Sequence, residues 1–266
     1  MIRNITLGQY LPGSSPLHRA DPRTKIIITM MFMVLLFIIN SIWALLAAFV
    51  FVTAAFKIAR IPFKFAIKGV RPVLYIILFT VVLNMFLTEG KVLVNLGFAK
   101  ITEEGLLLAA IVSLRVFMLI ASASIMTYTS TPIMLTDGIE KLLGFLKKIK
   151  VPVHEMAMMM TIALRFIPTL IDETDKIMKA QAARGADIGT GNVFERAKSF
   201  IPILIPLFVS SFRRADDLAI AMEARCYRGS EGRTSMRVLK YGRIDVAIFL
   251  PFCIICAGIL MIHYLI

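Results

Sequence analysis

Two short stretches carry the residues with the most chemistry to offer, "QAARGADIGT" at 181–190 and "MEARCYRGSE" at 222–231. Each places an arginine, Arg184 or Arg225, directly after an alanine, Ala183 or Ala224, and before a small residue, Gly185 or Cys226. A guanidinium is permanently charged, and its planar fork of donors matches a carboxylate through two parallel hydrogen bonds. Small flanking residues let a helix end enter a groove with the guanidinium as the projecting group. Superposing Arg184 on Arg225 puts Asp175 on Asp216, Ile177 on Leu218 and Ala180 on Ala221. The match is short and suggests a repeated element. On this pattern alone two readings stand open: docking into a partner, and a pair of solvated helix ends.

Other reactive residue types offer less. Cys253 and Cys256 form a CxxC inside an apolar run, and Cys226 stands apart. Two thiols without further ligands make a poor zinc site, so they read as small hydrophobes in a spanning helix, with no disulfide framework. His18, His154 and His263 are scattered, and no metal site is expected. Gly90-Lys91 is followed by Val92, and Met85 stands where a phosphate-binding loop needs its first glycine. ATP chemistry must therefore come from another chain. Asp137, Glu140, His154 and Glu155 come nearest to a catalytic cluster for a membrane-embedded enzyme, yet they fit loop and amphipathic-helix surfaces equally well.

The elements that must position the two arginines belong to a membrane protein. The chain has 266 residues, 58% of them hydrophobic, and a mean hydropathy of +0.81; soluble domains run about 45–50% apolar. The net charge of +13 fits basic cytoplasmic loops and an anionic inner leaflet. Nucleic acid is not expected, because no basic stripe is interleaved with aromatics. The stretch from Ile26 to Phe56 carries no charge. It would be about 46 Å long as one helix, against a hydrocarbon core of about 30 Å. Asn40-Ser41 at its midpoint predicts a tight hairpin of two short spans. Further spans are expected at Pro72–Leu87, Gly105–Tyr128 and Val246–Ile266. The spans so drawn hold no Asp or Glu, and Arg115 is the one charge deep within them. Arg115 is either a functional intramembrane charge or a structural one, bonded to carbonyls or to hydroxyls such as Ser113, Ser122 or Thr127.

Residues 57–71 carry Lys57, Arg60, Lys64, Lys68 and Arg71 without an acid, which marks a cytoplasmic loop. The less basic loop at 88–104 belongs outside. Val151–Ile171 is apolar enough to suggest another span, but both flanks are basic and the stretch contains His154, Glu155 and Arg165. An arginine at a helix centre costs about 2.5–3.5 kcal/mol on insertion scales. This Met-rich helix is therefore expected at the inner face without a full crossing. Five spans then leave the N-terminus cytoplasmic and the C-terminus extracellular. Farther on, Leu207, Phe208, Ser211, Phe212, Ala215, Leu218, Ala219 and Met222 fall on one helical stripe, and Leu170, Ile171, Ile177 and Met178 on a comparable one. Residues 1–25, rich in Gly, Pro and Ser, read as irregular surface structure, with Asp21 a candidate helix N-cap before Pro22. The expected organisation is an N-terminal cytoplasmic segment at 1–25, a four-helix membrane part at 26–130, a cytoplasmic coupling-helix region at 131–243 and a C-terminal span at 244–266. The fold class is all-α, integral to the membrane.

Five motifs together carry a specific resemblance: "DPRTK" at 21–25, "TSTPIMLTDGIEKLL" at 129–143, "ALRFIPTL" at 163–170, "AARGAD" at 182–187 and "MEARCYRG" at 222–229. From end to end the chain resembles the transmembrane coupling (T) subunit of energy-coupling factor transporters, the EcfT/CbiQ family of vitamin importers related to ABC transporters. The resemblance implies two long cytoplasmic coupling helices that cross and end in the Ala-Arg-small motifs. It implies that Ala183, Arg184, Gly185, Ala224, Arg225 and Cys226 dock into two ABC ATPase subunits, A and A′. Cys226 stands where the family often has Gly or Ser. The resemblance further implies a small membrane S subunit that binds the vitamin and rests on the apolar faces of the coupling helices, for which Met156, Met158, Met159, Met160, Leu207, Phe208 and Phe212 are the candidate contacts. No cofactor is expected on this chain; ATP and Mg2+ would sit on the partner ATPases, in a bacterial cell membrane. The alternative is a conventional ABC importer permease. "QAARGADIG" faintly resembles its coupling loop, but Asp187 occupies the position of that loop's glycine.

Overall fold

The computed structural model describes residues 10–62, 64–88, 90–95, 100–186, 192–229 and 238–265. Contacts divide them into two units, 10–141 with 239–265, and the described part of 142–238.

The first unit is the membrane unit. It comprises α1 (Pro16–Arg19), α2 (Pro22–Ile38), α3 (Ile42–Ala59), α4 (Lys64–Val70), α5 (Leu74–Leu87), α6 (Glu103–Thr129), α7 (Pro132–Leu142) and α11 (Arg243–Leu265). Three of these, α3, α6 and α11, are long and apolar enough to cross a bilayer. Arg71–Leu87 is a shorter apolar stretch. The uncharged stretch does break at Asn40-Ser41, with Ile39 capping α2 and Ser41 opening α3 in extended conformation. The one non-helical element described is a short antiparallel pair, β1 (Val92–Asn95) with β2 (Lys100–Thr102), within the 88–104 loop. The core lies between α2, α3, α6 and α11, and is built from Phe32, Leu36, Leu45, Val52, Phe56, Met118, Tyr128 and Phe252. Ala44 and Ala48 are fully buried in α3; small residues let helix backbones approach closely where lipid gives no hydrophobic drive.

Two basic side chains lock α2 and α6 into register. Lys25, in the first turn of α2, donates from Nζ to the carbonyl of Thr129 at the end of α6, 2.9 Å away, and to Ser130 Oγ at 3.0 Å. Arg115, midway along α6, donates to the carbonyl of Ile39 at the end of α2, 2.6 Å away, and to Asn40 Oδ1 at 2.9 Å. Each cation thus satisfies the terminal carbonyl of the other helix, where the helix dipole favours positive charge. Both anchors span fourteen residues, from 25 to 39 and from 115 to 129, or about 21 Å of antiparallel contact. The partners of Arg115 are therefore a turn carbonyl and an amide, not the hydroxyls of Ser113, Ser122 or Thr127, which bond to carbonyls of their own helix.

The N-terminal stretch departs from the irregular surface expected of it. Ser15, His18, Ala20 and Asp21 are buried, and the Leu11 N–H donates to the Tyr128 carbonyl. Ser15 caps α1, the Ser15 hydroxyl bonds His18 Nδ1 at 2.7 Å, and His18 Nε2 donates to the Leu11 carbonyl at 3.0 Å. Polar residues can be buried here because they satisfy one another and the free backbone groups nearby.

The second unit contains α8 (Val153–Ala183), α9 (Val193–Ser199) and α10 (Ile201–Ala224). The apolar Met-rich stretch and the amphipathic segment after it form one continuous 31-residue helix through Pro168. It is not among the helices long and apolar enough to cross a membrane.

Candidate functional site

Helices α8 and α10 lie side by side and antiparallel. Gln181 near the end of α8 donates from Nε2 to the Pro202 carbonyl at the start of α10, 3.1 Å away. In the middle, Arg214 pairs with Glu173 at 3.1 Å. At the far end, Met158, Ile162 and Arg165 of α8 share a cleft with Met222 and Arg225 of α10. Residue pairs whose numbers sum to nearly the same value, from one end to the other, are the mark of an antiparallel pair. The packed line on α10 is Ile203, Leu207, Ser211, Arg214, Leu218 and Met222, while Phe208, Phe212, Ala215 and Ala219 of the expected stripe are exposed. The stripe is wider than the contact because a neighbouring helix covers only one edge of it.

The chain reverses in the same way at the end of each helix. In α8 the Gly185 N–H donates to the Ala182 carbonyl and the Ala186 N–H to the Gln181 carbonyl, both at 3.0 Å. In α10 the Cys226 N–H donates to the Glu223 carbonyl at 2.8 Å and the Tyr227 N–H to the Met222 carbonyl at 3.1 Å. This paired pattern is the Schellman motif, which satisfies terminal carbonyls by turning one residue left-handed. That residue is Gly185, φ +82°, in one case and Cys226, φ 56°, in the other. The helix stop predicted at Gly185 is present. Arg184 and Arg225 are the cap residues themselves, and both are exposed. Because the helices are antiparallel, the two guanidiniums stand at opposite ends of the pair, about 35 Å apart along it. Asp187 lies outside the described residues.

Of the seven candidate apolar contacts, Met156, Met159, Met160, Phe208 and Phe212 are exposed, and Met158 and Leu207 are half-buried. Met158 lines the cleft beside Arg225. Asp137 and Glu140 belong to α7 in the membrane unit and His154 and Glu155 to the start of α8 in the other. Among the described residues no group of three or more His, Cys, Asp or Glu could hold a metal.

Sequence reasoning missed a polar junction in the membrane unit. Asp245, buried in the first turn of α11, accepts from the N–H groups of Asp21 and Gly242, each at 2.7 Å. Asp21 in turn caps α2 through the Arg23 N–H and pairs with the Arg23 guanidinium at 3.0 Å. That guanidinium stacks over the Tyr241 ring, 4.0 Å from its centroid. "DPRTK" is thus a knot joining the starts of α2 and α11 to the end of α6. A sequence separation of 224 between Asp21 and Asp245 leaves no local signal for it.

Comparison with known proteins bears on the whole chain. The family model CbiQ, described as cobalt transport protein, matches residues 13–236. A protein of Ruminiclostridium cellulolyticum is 59% identical over 248 residues, 93% of each chain. One of Thermosediminibacter oceani is 52% identical over 264 residues, 99% of this chain and all of its own. One of Bacillus subtilis is 46% identical over 258 residues, 97% of each chain. All three are named energy-coupling factor transporter transmembrane protein EcfT. Among the described residues three of the five expected spans are helices long and apolar enough to cross a membrane, and Arg71–Leu87 is a shorter apolar one; with two arginine-capped helices and this near full-length similarity, the chain belongs to the CbiQ/EcfT family of transporter membrane proteins.

Proposed function

We propose that this chain is the non-catalytic energy-coupling subunit of an energy-coupling factor importer in a bacterial cell membrane. In this reading Arg184 and Arg225, with Ala183, Gly185, Ala224 and Cys226 around them, dock into two ABC ATPase subunits, A and A′. ATP and Mg2+ bind those partners. A separate small S subunit binds the vitamin or micronutrient and rests on the exposed apolar faces of α8 and α10. The N-terminus is cytoplasmic and the C-terminus extracellular.

The observation that carries this reading is the pairing of two like-capped, exposed arginines at opposite ends of one antiparallel helix pair. One pair of helices can then be gripped by two separate bodies. The ATPases close on ATP and open after hydrolysis, so they change the positions of the gripped ends. Stiff helices pass that change to the faces that hold the S subunit. The two-state element is the relative placement of α8 and α10, biased by nucleotide. Exposed Met side chains suit such a face, because their unbranched, polarisable chains adapt to a moving partner.

Coexpression and purification provide the test. The chain should bring down two ATPase subunits and a small membrane protein. Replacing both Arg184 and Arg225 with alanine should release the ATPases or leave hydrolysis uncoupled from uptake. Normal vitamin uptake by the double variant would exclude the docking role.

A further inference from the structure

Arg225 does not stand alone at its helix end. It opens onto a cleft of about 610 Å3 that is also lined by Arg165 and Arg228. Arg165 comes from α8, on the opposite side of the cleft, and reaches it only because the antiparallel pairing sets the first half of α8 beside the last turn of α10. Among the described residues the cleft lining contains no acidic one. Its walls include Met158, Ile162 and Met222, so a cationic rim stands over an apolar floor. Three guanidiniums around one cleft repel one another, and a bound carboxylate would relieve that repulsion through charge-assisted, bidentate hydrogen bonds. The other helix end differs in sequence. Three residues after Arg184 comes the acidic Asp187, and three residues after Arg225 comes the basic Arg228.

The geometry points to a receptor, at the α10 end alone, for an acidic segment of one of the two ATPase subunits, with Arg165 and Arg228 setting which subunit binds there. This rests on the docking role proposed for Arg184 and Arg225. The segment presents one or more carboxylates to the arginine rim and an apolar side chain to the Met158–Ile162–Met222 floor. Three guanidiniums line the one cleft at the α10 end, so a more acidic partner is favoured there. Electrostatic complementarity of this kind chooses between partners more than it raises affinity for both.

The test uses the full complex, purified from membranes with both ATPases carrying different tags. The double variant R165Q/R228Q keeps Arg184 and Arg225. It should lose one ATPase by about tenfold or more and retain the other, together with the S subunit. R165K/R228K should hold more of that ATPase than the glutamine pair. The same ATPase should leave the wild-type complex first as ionic strength rises, since charge pairing is screened; this measurement stands even if the glutamine variant fails to fold. Retention of both ATPases by R165Q/R228Q, while R225A loses one, would overturn the receptor and leave the docking role intact. Equal loss of both ATPases would also overturn it. If R184A, R225A and R165Q/R228Q all retain both, the docking role itself fails. Unchanged ATPase retention with weaker binding to phosphatidylglycerol vesicles than the wild type shows would assign the cleft to a lipid headgroup and overturn the proposal.

Discussion

Between residues 142 and 229, Val153 and Ile203 are the only buried apolar residues among those described, whereas the membrane unit closes a continuous core from Phe32 to Ile259. The polar chemistry is divided the same way. In the membrane unit Lys25, Asp245 and Asp21 are buried and satisfied within the unit: Asp245 accepts from the Asp21 N–H, and Lys25 donates to the Thr129 carbonyl. In the other unit the arginines cap helices and face outward. A unit that satisfies its buried charges with its own N–H groups and carbonyls leaves none of these charges for a partner to pair. A unit of two long helices with Ile205, Phe208, Val209 and Phe212 in the open has left its apolar surface for something else to cover. Large exposed apolar patches generally mark interaction sites.

The comparison can be broken most forcefully at Asp245. Asp245→Ala leaves the N–H groups of Asp21 and Gly242 without their acceptor, and loss of charged hydrogen bonds costs about 1.5–3 kcal/mol each. The apparent Tm in detergent should fall by the same amount for the free chain and for the assembled complex. A fall seen only in the complex would contradict the view of the membrane unit as self-sufficient. Next in size is Phe212→Ala together with Phe208→Ala. These side chains are 68% and 59% exposed, so the free chain should keep its stability to within about 0.5 kcal/mol. S-subunit copurification should drop about tenfold or more, as for central aromatic anchors. Destabilisation of the free chain would mean that the patch packs on its own protein.

The two caps give a smaller and sharper contrast, with opposite signs. Gly185→Ala forces a Cβ into the left-handed region at φ +82° and should destabilise the α8 end by about 1 kcal/mol. Cys226→Gly relieves the same conformation at φ 56° and should stabilise the α10 end by about 0.5–1 kcal/mol. Hydrogen exchange at the last turn of each helix reads both effects. The smallest change is expected at Glu173→Gln. Its pair with Arg214 is partly exposed, which limits the loss to under about 1 kcal/mol. The protection of α8 and α10 should fall together if this pair is the rung that joins them.

Much of the local structure was legible in the sequence. The break at Asn40-Ser41, the apolar stretches and the stop at Gly185 follow from hydropathy and from the demands of turns. The register between helices was not. Arg115 could be identified as an intramembrane charge, but its partner Asn40 lies 75 residues away. Nothing in residues 1–25 announced that Ser15 and His18 would be buried, because Gly, Pro and Ser spell an irregular path without saying what covers it. The stripe on α10 was readable, but which of its edges met α8 was not.

The sequence by itself determined the elements of this protein and its family: the period of the apolar residues sets each helix, and paired Ala-Arg-small endings are visible as strings. Tertiary structure alone decided that Lys25 and Arg115 each close the other helix's terminal carbonyl, and that Arg165 faces Arg225 across a cleft. Helix formation depends on residues three and four apart, which the string displays. Charge pairing and burial depend on which helices meet and in which direction, and that follows from the packing of the whole chain.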